Sequence, residues 1–226
     1  MICLTGALAI GMCGCGKKEA AKTQASPPAA LPTIQAPVSS DGWIAMETMA
    51  AGKWTAIEGA TNVEWDQASR ILRIGATNDL NGLRWAGSVP VTPYVVELEA
   101  RRMSGNDFFC GLTFPVRDGK SSVSLIVGGW GGMLVGISSI SGMDASENST
   151  ASIHDFENER WYRIRVEVRA ERLQAWIDDQ QVVDAYTEGE QLFLRRGPIE
   201  ACAPFGLATW MTQAELRGIQ WRKLVE

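Results

Sequence analysis

Histidine is almost absent from this chain of 226 residues, which contains only His154. A catalytic zinc ion takes three protein ligands, and a serine or cysteine triad needs a histidine beside its nucleophile. One histidine is too little for such a zinc site, and no triad partners can be identified for it. We therefore exclude zinc catalysis and expect His154 to be a hydrogen-bonded residue of a loop or rim.

Clustered positive charge and long apolar runs are also missing. Lys and Arg number 21 against 26 Asp and Glu, a formal net charge of −5. Nucleic-acid binding needs a clustered basic surface, so we expect no nucleic-acid partner. The main uncharged apolar run, Ile2–Gly14, is shorter than the about 20 residues that span a bilayer, but it suits a signal-peptide core.

The end of that run resembles a bacterial lipoprotein signal. Cys13-Gly14-Cys15-Gly16 precede two lysines, and a small residue followed by cysteine predicts cleavage before Cys15 and lipid on its sulfur. A plain secretory signal is the alternative. Residues 15–40 are rich in Pro and Ala and predict a disordered tether after the signal peptide 1–14. The predicted location is the cell envelope, lipid-anchored, or the exterior.

The cysteines leave two alternatives open. Once the signal is removed and Cys15 is lipidated, only Cys110 and Cys202 remain as thiols. Two cysteines in an oxidising compartment can form a disulfide. They can equally be small buried hydrophobic residues, because the sequence does not place their Cα atoms within reach of each other.

Strand patterns dominate the chain from Lys53 onward, and short β-type runs recur about every ten residues. Tyr94–Arg102 and Trp161–Arg169 alternate strictly between apolar and polar residues. This period of two predicts antiparallel strands with one face on the core and one in water. No helical pattern of ten residues occurs, and Gln191–Arg196 is either a strand or a short helix.

The last segment, Phe205–Leu224, returns to strand patterns. A terminal strand that pairs beside an early one closes a jelly roll. We therefore predict one all-β domain over residues 41–226, a two-sheet antiparallel jelly-roll β-sandwich.

Several of these strands resemble a known family. Trp161–Val166, Leu173–Asp178 and the closing strands Gly206–Trp210 and Ala214–Ile219 are similar to concanavalin A-like (LamG-like) jelly rolls. More narrowly, they resemble the 3-keto-disaccharide hydrolase-like domains of exported bacterial, planctomycete-type lipoproteins. The resemblance covers residues 41–226 and implies a sandwich with a sugar-facing concave sheet.

The chain departs from that family's pattern where chemistry is expected. Typical members carry an Asn-Ser-Gly stretch, then an Arg, then acidic residues in the next strand. Here the corresponding stretches are Cys110–Pro115 and Leu125–Trp130, which contain no Arg or Glu. We therefore expect a module that binds glycan or cell envelope without turning it over. A 3-keto-disaccharide hydrolase or lyase is the alternative, and a structural surface lipoprotein that binds another protein is a third.

Trp130 is the leading ligand-contact candidate, because four glycines, Gly128, Gly129, Gly131 and Gly132, surround it. Sugars stack on exposed indoles, but a glycine-flanked tryptophan can equally anchor a tight turn. The polar candidates for the same site are Arg84, Asn106 and Asp107.

Two acidic groups complete the candidates. Glu97 and Glu99 lie at i and i+2 on one strand, about 6.6 Å apart, near the roughly 5–5.5 Å carboxyl spacing of retaining glycosidases. We expect them to lie on the same face as Trp130, either as a catalytic pair or as an ordinary solvated charged face beside Arg101. One loop contains several side-chain oxygen atoms, from Asp144, Glu147 and Asn148. Such a loop can bind calcium, or it can be an ordinary turn. No other cofactor is predicted.

Overall fold

The chain folds into strands that form two sheets. The computed structural model describes residues 41–46 and 53–225. The predicted signal peptide, Cys15 and the tether lie outside the described residues. None of the described helices is long and apolar enough to cross a membrane.

The strands, β1 to β15 in chain order, are Ile44–Ala45, Trp54–Ala56, Val63–Asp66, Ile71–Ile74, Leu80–Trp85, Tyr94–Ser104, Cys110–Val116, Ser121–Gly128, Leu134–Ser138, Ser152–Ile153, Tyr162–Arg169, Arg172–Ile177, Gln180–Tyr186, Gly206–Trp210 and Gln213–Lys223. One helical turn, α1, is Gly129–Gly132, and a 3₁₀ helix is Pro198–Cys202.

Within the described residues the strands form an eight-stranded and a seven-stranded sheet, both antiparallel. The eight-stranded sheet has the order β13-β12-β11-β6-β15-β4-β3, with β1 also paired to β15. The seven-stranded sheet has the order β10-β9-β8-β7-β14-β5-β2. The last strand, β15, lies between β6 and β4, as expected for a closed jelly roll. The predicted all-β sandwich is confirmed.

The main core lies between the two sheets, and the period-two alternation decides which side chains enter it. On β6, Val96, Leu98 and Ala100 are buried, whereas Glu97 and Glu99 face outward. Burying an aliphatic side chain of this kind stabilises the fold by about 1.5–3 kcal/mol.

Tyr94 also links the sheets, because its hydroxyl donates to the carbonyl oxygen of Pro115 at 2.6 Å. Burial raises the pKa of this hydroxyl well above its usual range. It therefore keeps its proton, and donates this hydrogen bond, at neutral pH.

A second, smaller apolar cluster covers part of the outer face of the seven-stranded sheet. Its buried members come from strands and from the loops that pack on them: Ile57, Leu80, Phe108, Ile126, Leu134, Ala145, Cys202 and Ala208. The 3₁₀ helix can approach the sheet because position 206 is glycine. A Cβ there would lie 2.6 Å from the carbonyl oxygen of Cys202.

Two sequence predictions need correction. Cys110 and Cys202 are both free, because Cys110 belongs to the main core and Cys202 to the cluster on the opposite face of the seven-stranded sheet. The disulfide alternative is wrong, and burial raises the pKa of each thiol to about 12. Gln191–Arg196 is neither a strand nor a helix, since only Leu192 forms an isolated bridge, to Ile140.

Candidate functional site

A cleft of about 360 Å³ opens on the outer face of the seven-stranded sheet. Its floor comes from β5, β8, β9 and β14, and its walls come from α1 and the loops before β7 and before β14. Its apolar lining is Leu80, Phe108, Ile126, Trp130, Pro198, Ile199 and Trp210, and its polar lining is Asp107, Ser124, Ser138, Asp144, Arg195 and Arg196. Aromatic and ionisable groups therefore converge in one concave site.

Trp130 reaches this cleft on a turn of unusual backbone geometry. Trp130 itself has φ 47° and ψ 61°, a left-handed conformation that is strained for a residue with a side chain. Such strain costs on the order of 1–3 kcal/mol and is concentrated at functional sites. The indole is 45% exposed, so the turn presents the ring to solvent and does not bury it in the core.

Asp107 holds the turn from the side of the cleft. Its Oδ1 accepts a hydrogen bond from the Phe108 backbone N–H at 2.7 Å, and its carboxyl also accepts from the Trp130 backbone N–H. Burial raises the pKa of this carboxyl, although the two backbone hydrogen bonds act in the opposite direction. The group is therefore a more basic carboxylate than an exposed aspartate.

Arg102 also stabilises this turn, through a hydrogen bond to the carbonyl oxygen of Gly132. Its guanidinium donates to the carbonyl oxygens of Gly132 at 3.1 Å and Phe156 at 2.6 Å, and to Oδ1 of Asn158 at 2.8 Å. The side chain is buried, and all three acceptors are neutral. Arg102 was not among the candidates predicted from the sequence. Its position nevertheless indicated that it faces the core, because in the alternating strand it has the same inward parity as Val96.

Asp144 forms the opposite side of the cleft. Its Oδ1 accepts from the Ser138 hydroxyl at 2.5 Å and from the Ala145 backbone N–H at 2.8 Å. Its Oδ2 pairs with Arg195 Nη1 at 2.7 Å. The ion pair joins the loop after β9 to the loop before the 3₁₀ helix and partly neutralises both charges.

The other predicted calcium ligands are used by their own loop. Glu147 Oε2 accepts from the Asp144 backbone N–H at 3.0 Å, and Asn148 Oδ1 accepts from Thr150. In the described part of the chain, no three His, Cys, Asp or Glu residues come together as a metal site. The contacts seen are those of a turn, and calcium binding by Asp144, Glu147 and Asn148 stays a prediction.

Glu97 and Glu99 lie on the other sheet, facing away from the cleft. Glu97 Oε1 is 3.6 Å from Arg165 Nε, and Glu99 Oε2 is 2.8 Å from Arg217 Nε. The expectation that they share a face with Trp130 is wrong, because β6 belongs to the eight-stranded sheet. They belong to a charged, solvated face.

Of the remaining residues singled out from the sequence, some line the cleft and others lie outside it. Arg84 and Asn106 are exposed and are not part of the lining. Trp210, at the end of β14, lines the cleft. Trp176, on the other sheet, forms a cation–π contact with Arg165, whose Cζ lies 5.0 Å from the ring centroid. His154 is half-buried against Phe156, with ring centroids 4.6 Å apart.

Comparison with known proteins identifies the family. The sequence model of the 3-keto-alpha-glucoside-1,2-lyase-like domain matches residues 91–222, more than half of the chain. The chain belongs to this family. Residues 91–222 include Asp107, Trp130, Asp144 and the loop before β14, so most of the cleft of this 3-keto-alpha-glucoside-1,2-lyase-like domain lies inside the matched region. No curated protein matches the chain.

Solved structures share the fold at low sequence identity. A Bacillus subtilis protein of unknown function with a galectin-like fold is 9% identical, with a TM-score of 0.55 over 77% of this chain and 91% of that one. The carbohydrate recognition domain of Emp46p is 10% identical, with a TM-score of 0.50 over 77% and 90%. Carbohydrate-binding module CBM66 from Bacillus subtilis is 17% identical, with a TM-score of 0.47 over 76% and 96%. At these identities the first two similarities establish a shared jelly-roll fold.

Proposed function

We propose that this 3-keto-alpha-glucoside-1,2-lyase-like domain binds a carbohydrate in the cleft beside Trp130 and does not transform it. The observation that carries the proposal is the exposed indole of Trp130 in the same cleft as Trp210, Asp107 and Arg195. Sugar C–H faces stack on indole rings, and sugar hydroxyls bond to carboxylates and guanidinium groups. The volume of about 360 Å³ falls within the range of small-molecule sites.

Binding is favoured over turnover because the cleft has no matched pair of free carboxylates. Asp144 is committed to Arg195 and Ser138. The acidic pair predicted from the sequence, Glu97 and Glu99, lies on the other sheet. The polar groups of the cleft can therefore orient a sugar more readily than they can cleave it.

We further propose that the domain acts in the cell envelope. The supporting observation is the lipoprotein-type pattern that ends at Cys15, followed by the Pro- and Ala-rich residues 16–40. A lipid on Cys15 would be the contact with the membrane, and the tether would let the domain reach glycans of the envelope or its surroundings.

Replacing Trp130 by alanine should reduce glycan affinity by a factor of about 30 or more, because a central aromatic contact contributes about 2 kcal/mol or more to binding. The measurement is a glycan array on the purified domain, followed by calorimetric titration of the strongest ligand into both proteins.

The matched control is Trp176→Ala, which removes a tryptophan from the other sheet and should leave the affinity unchanged. Equal affinity of Trp130→Ala and the parent protein would contradict the proposal. Absence of binding to every glycan would contradict it as well, and would favour the protein-binding alternative.

Asp107 supports a second candidate function, an elimination on a 3-keto-α-glucoside. A ketone at C3 acidifies the hydrogen on C2. A carboxylate takes that proton, the C2–H electrons form a C1–C2 double bond, and the C1–O bond breaks. The departing alkoxide oxygen takes the proton from the carboxylic acid just formed, which releases the alcohol and restores the carboxylate. Burial raises the pKa of the Asp107 carboxyl, which lines the cleft, and raised basicity suits a general base.

If this reaction occurs, Asp107→Asn should abolish the formation of product from a 3-keto-disaccharide. The absorbance of the unsaturated ketone measures product formation. The rate of the parent protein should fall as the pH drops through the raised pKa of Asp107, because only the ionised carboxylate accepts a proton. Asp179→Asn, at an exposed turn, is the control. Unchanged turnover by Asp107→Asn would exclude this role.

A further inference from the structure

A second depression lies beside the first cleft on the seven-stranded sheet. It is wider, about 910 Å³, and its lining includes Lys120, Ser122, Phe193, Arg196 and Glu200. The turn between β7 and β8 forms one wall. The two ends of the loop between β13 and β14 form the others.

The two depressions are neighbours along one strand. Ser122 lines the second and Ser124 lines the first. Residues at i and i+2 of a strand point to the same face and lie about 6.8 Å apart. Arg196 lines both depressions. A chain molecule that leaves the first cleft past Arg196 therefore enters the second.

The second depression repeats the aromatic feature of the first. Phe193 is 38% exposed, and its backbone is held in place, since its carbonyl oxygen accepts from the Ser139 N–H at 3.2 Å. The carbonyl oxygen of the preceding residue, Leu192, accepts from the Ser121 hydroxyl. An aromatic ring on a fixed backbone loses little freedom when it stacks on a ligand.

Arg196, which lines both depressions, provides free hydrogen-bond donors. It forms no hydrogen bond or ion pair with any residue in the described part of the chain, whereas Arg195 pairs with Asp144. Lys120 pairs with Asp118 at 2.9 Å, and Glu200 accepts from the Gly197 N–H at 2.9 Å. The guanidinium of Arg196 can therefore bind ligand oxygens without breaking an existing contact.

We infer that the ligand is an oligosaccharide that occupies both depressions, stacks on Trp130 and on Phe193, and crosses between them at Arg196. This inference rests on the proposed carbohydrate binding in the first cleft. It specifies the ligand as a glycan chain and not as a single terminal sugar.

Affinity measured against chain length tests the inference. The probes are glucose oligomers of one to six units in the α-1,4 and β-1,4 series, and oligomers of the same lengths from the strongest ligand of the array. For the series that binds, we expect the hexamer to bind at least tenfold more tightly than the dimer. Phe193→Ala should remove this gain in affinity with length and leave the affinity for the dimer unchanged. Trp130→Ala should weaken the binding of oligomers of every length.

Tyr186→Ala, which removes another exposed ring from the edge strand β13, is the matched control and should preserve the gain with length. Equal affinity for dimer and hexamer, or a gain that persists in Phe193→Ala, would overturn the inference while binding in the first cleft stands. Absence of binding by all series would overturn both together.

Discussion

Replacing Arg102 by methionine should lower the free energy of unfolding by about 3–5 kcal/mol. Methionine retains most of the apolar stem but donates no hydrogen bonds. The carbonyl oxygens of Gly132 and Phe156 would then lose a donor inside the protein, and each buried unsatisfied group costs about 1–3 kcal/mol. Urea denaturation followed by tryptophan fluorescence gives the free energy of each variant.

The control for this experiment is Arg163→Met. Arg163 is half-exposed and pairs with Asp179, which is almost fully exposed, so its removal should change stability by less than about 1 kcal/mol. Arg102→Lys should recover part of the loss, because an ammonium can still donate to one or two of the same oxygens. Equal losses in Arg102→Met and Arg163→Met would show that burial of the guanidinium does not matter.

Arg102→Met should also weaken glycan binding beyond what its stability loss explains. The guanidinium fixes the carbonyl of Gly132, two residues after Trp130, and so fixes the direction of the indole. Titration at a temperature where the variant remains folded separates the two effects. Affinity equal to that of the parent protein would mean that the turn keeps its geometry without this contact.

Replacing Gly132 by alanine should destabilise the protein by about 3 kcal/mol or more. The residue has φ 95°, and a Cβ at this position would lie 2.5 Å from Arg102 Nη1. Left-handed backbone costs an L-residue roughly 1–2 kcal/mol. The overlap adds on the order of 1–3 kcal/mol, because the guanidinium is held by three hydrogen bonds and can move aside only by breaking them.

Gly131→Ala separates the two costs. Gly131 has φ 90°, but a Cβ there would meet no atom within 4 Å, so only the backbone cost applies and the expected loss is about 1–2 kcal/mol. Thermal or urea unfolding of the two variants side by side measures the difference. Equal losses would show that Arg102 can leave its position freely, which would also weaken the case for Arg102→Met.

Alternation along the strands was sufficient to predict the architecture. Tyr94–Arg102 and Trp161–Arg169 alternate with a period of two, and burial follows this alternation along β11 and along β6 from Val96 onward, whereas Val95 is buried although its parity is outward. A strand with one apolar and one charged face has one stable orientation, with the apolar face on the core. The local pattern could therefore predict approximately where these strands lie and which of their faces enters the core.

The composition of the site required the tertiary structure, because alternation assigns a face to each side chain but does not say which sheet a strand joins. Glu97 and Trp130 both looked available from their patterns, yet β6 and β8 belong to different sheets. Arg196 enters the site only because an aperiodic loop crosses the outer face of the seven-stranded sheet, and Trp210 enters it because β14 joins that sheet. Trp130 is the exception: four flanking glycines marked it in the sequence, and three of them, Gly128, Gly131 and Gly132, adopt the positive φ of the turn that exposes its ring.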